Sequence, residues 1–177
     1  MKAALIAAFL CVTPLACAAQ TPDLQKTRAA AEKGDAKAQY AMGSAYYLGS
    51  GVARNLKAAR HWYKLSAEQG LAEAQMAYGI FLLNGFDDVA GDRALGIKWI
   101  HKAADQGLPE AQADVASGYY RGVGVAADGV EACKWETLAT KADPKYAPTL
   151  KVMRDGLSPD HAAECDARAK AWRPAKN

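Results

Sequence analysis

Small and apolar side chains recur at helical spacing in two neighbouring stretches of the chain. The first stretch carries Ala38, Ala41, Met42 and Tyr46, and the second carries Ala59, Trp62 and Ser66. This spacing predicts two helices that face each other. Residues 49–52 between them read Gly-Ser-Gly-Val, and glycine adopts the positive φ that side chains with a Cβ resist. We therefore predict that the first helix ends there and that the chain turns back.

The same helix pair occurs three times. Ala-Gln recurs at residues 38–39, 74–75 and 111–112, in step with Trp62, Trp99 and Trp135, and the units close at Gly34, Gly70 and Gly107. Self-similarity at a fixed period is typical of solenoids. We predict an all-α fold, a right-handed α-solenoid of antiparallel helix pairs. Residues 84–88, Asn-Gly-Phe-Asp-Asp, replace the regular turn in the second copy and predict a divergent surface loop.

These positions resemble the Sel1-like repeat family, whose pattern runs roughly A-Q-x-x-L-G-x-x-Y-x-x-G-x-G-V, then A-x-x-W-x-x-x-A and a closing E-Q-G. The first copy matches it at Ala38-Gln39, Gly43, Tyr46, Gly49, Ala59, Trp62 and Glu68-Gln69-Gly70. The third copy departs from it, with Ala116 at the position of Gly43 and Asp143 at the closing glycine. A tetratricopeptide array, with a period of about 34 residues, is the alternative for the details of the fold.

The two ends of the chain differ from the repeats. An apolar run after Lys2, followed by small residues, predicts a signal peptide over residues 1–19; it is shorter than the roughly 20 residues that a membrane span needs. We expect a periplasmic or secreted protein, with a lipoprotein anchored through Cys17 as the alternative. The predicted order is a capping helix over residues 20–34, repeats over about 35–70, 71–107 and 108–142, and capping helices with a tail over 143–177.

Charge and cysteine content narrow the classes of function. The formal net charge is +3, and loss of Lys2 with the leader makes it +2, so a concentrated basic face for nucleic acid is not indicated. Cys133 and Cys165 remain after cleavage. They fall on helices that should be neighbours, so either a disulfide or two separate buried thiols fits the sequence.

For the tryptophans and histidines the sequence predicts structural rather than chemical roles. We expect Trp62, Trp99 and Trp135 to fill the space between helices whose alanines and glycines allow close approach. His61, His101 and His161 lack the i, i+4 spacing of a helical metal site. We expect all three to face solvent, and we predict no metal, no cofactor and no catalytic residues.

The outer face of the first helix in each copy is the candidate binding groove, because arrays of this type present a concave surface lined by such helices. The residues that the register places there are Lys37, Tyr40, Ser44, Tyr47, Glu73, Met76, Ile80, Leu83, Asn84, Glu110, Ala113, Ser117, Tyr120 and Arg121. Apolar groups flanked by polar ones are typical of a binding surface. Alternatively, Met76, Ile80 and Leu83 contact only the adjacent helices.

The family resemblance implies a protein-interaction module or adaptor in the cell envelope, monomeric and with a protein or peptide partner. An immunity-type inhibitor of a secreted toxin is a specialised form of this function. Some cysteine-rich Sel1-like proteins are linked to penicillin binding or β-lactam hydrolysis, but they carry a cysteine pair in each repeat and this chain does not. A third alternative is an envelope protein that contacts a membrane protein through its convex face or the loop at Phe86.

Overall fold

The computed structural model describes residues 22–86 and 91–175, and the regular structure within those ranges is helical. The helices are α1 (Pro22–Glu32), α2 (Ala36–Leu48), α3 (Leu56–Glu68), α4 (Ala72–Asn84), α5 (Arg93–Asp105), α6 (Pro109–Arg121), α7 (Gly129–Ala142), α8 (Ala147–Asp155) and α9 (Pro159–Ala171), with a 3₁₀ turn at Pro144–Tyr146 before α8. The predicted signal peptide, including Cys17, lies outside the described residues.

Local sequence fixes where many of these helices begin and end. The side chains of Asp35, Asn55 and Asp92 each accept a hydrogen bond from the backbone N–H three residues later, which satisfies a donor that the first helical turn leaves free. Gly49 and Gly122 end α2 and α6 with φ of 75° and 69°. The predicted glycine turns therefore form, because a residue with a Cβ would be strained in this conformation.

Consecutive helices pack against each other from α1 to α7, and α7 also contacts α8 and α9. From α1 to α7 each helix thus meets its sequence neighbours, as expected for a solenoid of helix pairs. The predicted all-α solenoid is confirmed. The described core extends through the repeats and is closed at the end by Met153 of α8 and Ala169 of α9.

Two glycines allow α4 and α5 to approach closely. A Cβ added at Gly79 would lie 2.7 Å from the carbonyl oxygen of Gly96, and a Cβ added at Gly96 would lie 2.8 Å from the carbonyl oxygen of Gly79. Real Cβ atoms do not approach oxygen so closely, so both positions depend on the missing side chain. This contact fixes the pairing of the two helices in the second repeat.

The three repeat tryptophans are buried to different degrees. Trp135 is 1% exposed, whereas Trp62 and Trp99 are half-buried. In the first two repeats the next residue, Tyr63 or Ile100, occupies the core. Trp99 packs between helices as predicted, with its ring centroid 5.5 Å from that of Tyr78. Tyr63 and Ile100 are buried more deeply than the tryptophans before them, because one residue further along a helix turns the side chain by about 100° toward the centre of the buried stripe.

Cys133 and Cys165 form a disulfide between α7 and α9, with their Cα atoms 5.9 Å apart. Both residues are fully buried and pack with Val130, Leu150 and Leu157. Of the two arrangements that the sequence allowed, the structure contains the bonded one. The bridge ties the last repeat to the final helix.

Over the described part of the chain, no helix has the length and apolar character needed to cross a membrane.

Candidate functional site

An aromatic cavity lies between α2 and α4 on the predicted groove face. Tyr47, Tyr63, Ala77, Ile80, Phe81 and Phe86 line it, and its volume is about 160 Å³. The ring centroids of Tyr47 and Phe81 are 5.6 Å apart, and those of Phe81 and Phe86 are 4.9 Å apart. Tyr47 remains 36% exposed. The floor of the cavity is therefore built from packed aromatic rings, and the Tyr47 ring is accessible at its edge.

A second depression, the Asp114 cavity, lies between α4 and α6. Its volume is about 240 Å³, and its lining residues are Ile80, Leu83, Asn84, Ile97, Asp114, Gly118, Arg121 and Val123. Burial raises the pKa of the Asp114 carboxyl, and the nearby Arg121 guanidinium partly offsets this effect. Ile80 lines both cavities, so they form one continuous apolar surface with an acid and a base at one end.

Tyr63 connects this surface to the adjacent part of α2. Its hydroxyl donates a hydrogen bond to Ser44 Oγ over 3.1 Å, and its ring lies 5.6 Å from that of Tyr40. Burial raises the pKa of the Tyr63 hydroxyl. Tyr40 and Ser44 instead line a cavity between α1 and α2 of about 600 Å³. Of the predicted groove residues on α2, Tyr47 therefore lines one cavity, Tyr40 and Ser44 line another, and Lys37 lines neither.

The remaining candidate residues are distributed along the same three helices. Lys37, Glu73 and Glu110 are exposed in the first turns of α2, α4 and α6, and Tyr120 is 52% exposed near the end of α6. Ala113 and Ser117 are half-buried. None of these six residues lines the aromatic cavity or the Asp114 cavity.

Both interpretations of the apolar residues on α4 apply. Met76, Ile80 and Leu83 are partly buried and pack against the core that contains Ile97 and Val115. Ile80 and Leu83 also line the cavities described above, whereas Met76 does not. Ala41, one of the residues whose spacing predicted the side of α2 that faces the next helix, is exposed.

Eight residues that line these two cavities were not predicted as site residues: Tyr63, Ala77, Phe81, Phe86, Ile97, Asp114, Gly118 and Val123. Asp114 lies four residues after Glu110, on the same helical face, so the i, i+4 spacing could have identified it. Phe86 follows α4 in the irregular segment, where no helical period assigns it a direction.

His101 does not face solvent as predicted. It is half-buried, its Nδ1 lies 3.1 Å from Asp105 Oδ2, and its ring centroid is 4.8 Å from that of Trp135. His61 and His161 are exposed, as expected. Over the described ranges no group of His, Cys, Asp and Glu side chains is arranged to hold a metal ion.

A comparison of the sequence with protein-family models identifies three repeats. The Sel1 repeat model matches three segments, residues 36–71, 72–108 and 109–143, which together make up more than half of the chain. The chain belongs to the Sel1 repeat family. Sel1 repeat proteins act as protein-interaction modules or adaptors and are generally non-catalytic.

Two solved structures are similar to this chain, and the first of them shares its architecture. The crystal structure of a Sel1 repeat protein from Oxalobacter formigenes is 33% identical and has a TM-score of 0.65, with 73% of this chain and 97% of that chain covered. A protective antigen of uropathogenic Escherichia coli that displays an SLR fold is 27% identical over 84% of this chain and 40% of its own, with a TM-score of 0.49.

Chitin synthase regulatory factor 3 of Schizosaccharomyces pombe is 36% identical over 112 residues, which is 61% of this chain. The matched region spans 12% of the length of the yeast protein.

Proposed function

We propose that this chain is an exported, non-catalytic Sel1 repeat module that binds a protein or peptide partner across the aromatic cavity and the Asp114 cavity. The observation that carries the proposal is the position of Tyr47. Its ring contacts Phe81 and Phe86 and is still 36% exposed at the edge of an apolar cavity. A tyrosine held by other rings loses little conformational entropy when a partner covers it.

The composition of the surface favours a protein partner. Aromatic residues and arginine are enriched at the centres of protein interfaces, and here Tyr47 stands at one end and Arg121 at the other. The shared Ile80 provides apolar continuity between them. Asp114 and Arg121 supply charges of both signs. The surface therefore suits an extended peptide segment that places polar groups at the Asp114 cavity and an apolar side chain in the aromatic cavity.

Two features support export. The segment over residues 1–19 has the pattern of a signal peptide, and a buried disulfide such as Cys133–Cys165 is maintained most readily in an oxidising compartment. The test is the intact mass of the protein recovered from each cell fraction. A mature chain that starts near Gln20 in the periplasmic or secreted fraction supports export, whereas an uncleaved chain in the cytosol contradicts it. A lipid-modified Cys17 would show membrane anchoring instead.

Photo-crosslinking tests the position of the binding surface. A photoreactive phenylalanine analogue is placed at Tyr47 and, as a control, at Leu95, which is 40% exposed on α5 and lines neither cavity. After irradiation in the native compartment, we expect a discrete adduct from position 47 and none from position 95. The same adducts from both positions, or none from position 47, would contradict binding at this surface.

A further inference from the structure

A glutamine pair joined by a hydrogen bond recurs at one edge of the solenoid, and one member of each pair, Gln39 or Gln75, is buried. In the first repeat, Gln69 Nε2 donates to Gln39 Oε1 over 2.7 Å, and in the second, Gln106 Nε2 donates to Gln75 Oε1 over 2.8 Å. In each pair a glutamine that follows the second helix satisfies the buried amide oxygen of a glutamine on the first helix. Buried polar atoms normally have such partners.

The third repeat has only half of this pair. Gln112 is 2% exposed, and its Nε2 donates to the carbonyl of Ala104 over 3.3 Å, as Gln39 and Gln75 do with the carbonyls of Ala31 and Ala67. This bond orients the amide as in the other repeats. Ala142 occupies the position of Gln69 and Gln106, and its side chain has no hydrogen-bond donor. Within the described part of the chain, Gln112 Oε1 therefore accepts no hydrogen bond.

A cavity of about 490 Å³ opens at this position. Gln112 and Ala142 both line it, and its other walls are formed by Gln106, Gly107, Leu138, Lys141, Ala169, Lys170, Trp172, Arg173 and Pro174. The segment after α9 folds back over the turn between α5 and α6, where the backbone N–H of Ala175 donates to the carbonyl of Asp105 over 2.7 Å. The volume lies within the range of small-ligand sites.

The charge around this cavity has one sign. Lys141, Lys170 and Arg173 line it, and none of the described lining residues is acidic. Arg173 Nη1 donates to the carbonyls of Lys170 and Trp172, which holds the guanidinium at the rim. Lys141 interacts electrostatically with Asp166, but that carboxylate already forms a salt bridge with Arg154. The three cations can therefore meet an anion from solution.

We propose that this cavity binds a carboxylate that stands next to an amide N–H, the chemistry shared by the C-terminal residue of a peptide and an N-acylated amino acid. The carboxylate lies among Lys141, Lys170 and Arg173, and the amide N–H donates to Gln112 Oε1, replacing the donor that Gln69 and Gln106 supply in the other repeats. Hydrogen bonds between ionised partners are stronger than neutral ones, and capture of a terminal carboxylate is a known mode of peptide recognition. This site is separate from the aromatic cavity.

The test uses three probes with the whole chain: N-acetylalanine, an acetylated hexa-alanine with a free carboxylate, and the same peptide with a C-terminal amide. Binding is followed by titration calorimetry and by NMR signals of the Gln112 side-chain amide and the Trp172 indole. We expect the free-acid peptide to bind about tenfold or more tightly than the amidated peptide. Equal binding of the two peptides, or no shift of either signal with the free acid, would overturn the proposal.

Two variants test the roles of the residues. Ala142→Gln restores the missing donor, so it should abolish binding while the chain remains folded; Ala94→Gln, at an exposed site on α5, should bind as the wild type does. The double variant Lys141→Gln, Lys170→Gln should bind the free-acid peptide about tenfold more weakly than the wild type does. Wild-type affinity in Ala142→Gln would contradict the assignment.

The length of the probe identifies the source of the ligand. A hexapeptide that binds more tightly than N-acetylalanine indicates a protein terminus, and equal affinity indicates a small acylated amino acid. Either result supports a site for a carboxylate that stands next to an amide N–H.

Discussion

Replacing Glu136 by Gln should make the protein more stable at neutral and alkaline pH and leave it almost unchanged near pH 4.5. Glu136 is 1% exposed in α7. It occupies the position after the repeat tryptophan, where Tyr63 and Ile100 fill the core of the first two repeats. Over the described ranges it makes no ion pair or hydrogen bond, so the carboxyl lacks compensation for its burial.

The magnitude follows from the pKa. Burial raises the pKa of Glu136 from 4.5 to about 7. Between these values the unfolded chain binds fewer protons than the folded chain, so the stability of the wild type falls as the pH rises. Each pH unit is worth about 1.4 kcal/mol, so ionising the folded carboxyl fully costs about 3 kcal/mol. Glutamine carries no charge and avoids this cost.

Urea unfolding of the wild type and Glu136→Gln at pH 4.5 and pH 8 measures the effect. The variant should be more stable by about 3 kcal/mol at pH 8 and by less than about 0.5 kcal/mol at pH 4.5. The control is Glu32→Gln, at an exposed position at the end of α1, which should change stability little at either pH. A difference between wild type and Glu136→Gln that does not depend on pH would refute the reasoning.

Further predictions concern the packing of the repeats, and urea unfolding checks each of them. Replacing Cys133 and Cys165 together by Ala should lower the free energy of unfolding by about 3 to 4 kcal/mol, because the bridge spans 32 residues and restricts the unfolded chain. A reductant that destabilises the double variant as much as it destabilises the wild type would contradict this cause. Trp135→Ala should cost about 3 to 5 kcal/mol and Trp62→Ala clearly less, whereas equal losses would contradict their different burial. Gly79→Ala should cost about 1 to 3 kcal/mol, because the new Cβ meets the backbone of α5; unchanged stability would show that α4 and α5 can separate without cost.

The fold could be predicted from the sequence because its signals are local and repeated. Glycines such as Gly49 mark the turns, and the spacing of Met42 and Tyr46 marks a helix regardless of its neighbours. The core position after each tryptophan could not be read in the same way. Tyr63, Ile100 and Glu136 share no chemistry, so no repeated residue type marks the position, while the tryptophans beside them form an obvious pattern.

The candidate site was only partly predictable for a related reason. Helical register placed Tyr47 and Ile80 on the correct face, but the cavity between them depends on Phe81 and Phe86. Phe81 belongs to the core stripe of α4, and Phe86 lies beyond the last helical turn. Their contact with Tyr47 depends on how α2 and α4 pack, which the pattern of a single helix does not contain.

The affinity of the partner segment recovered by crosslinking at Tyr47 tests the central claim most directly. Its Kd should be measured with the wild type, with Tyr47→Ala and with the control Leu95→Ala, after the fold of each has been checked by circular dichroism. We predict that Tyr47→Ala weakens binding by about tenfold or more, since exposed aromatic anchors dominate such interfaces, and that Leu95→Ala binds as the wild type does. Equal affinity of all three proteins would contradict binding through the aromatic cavity.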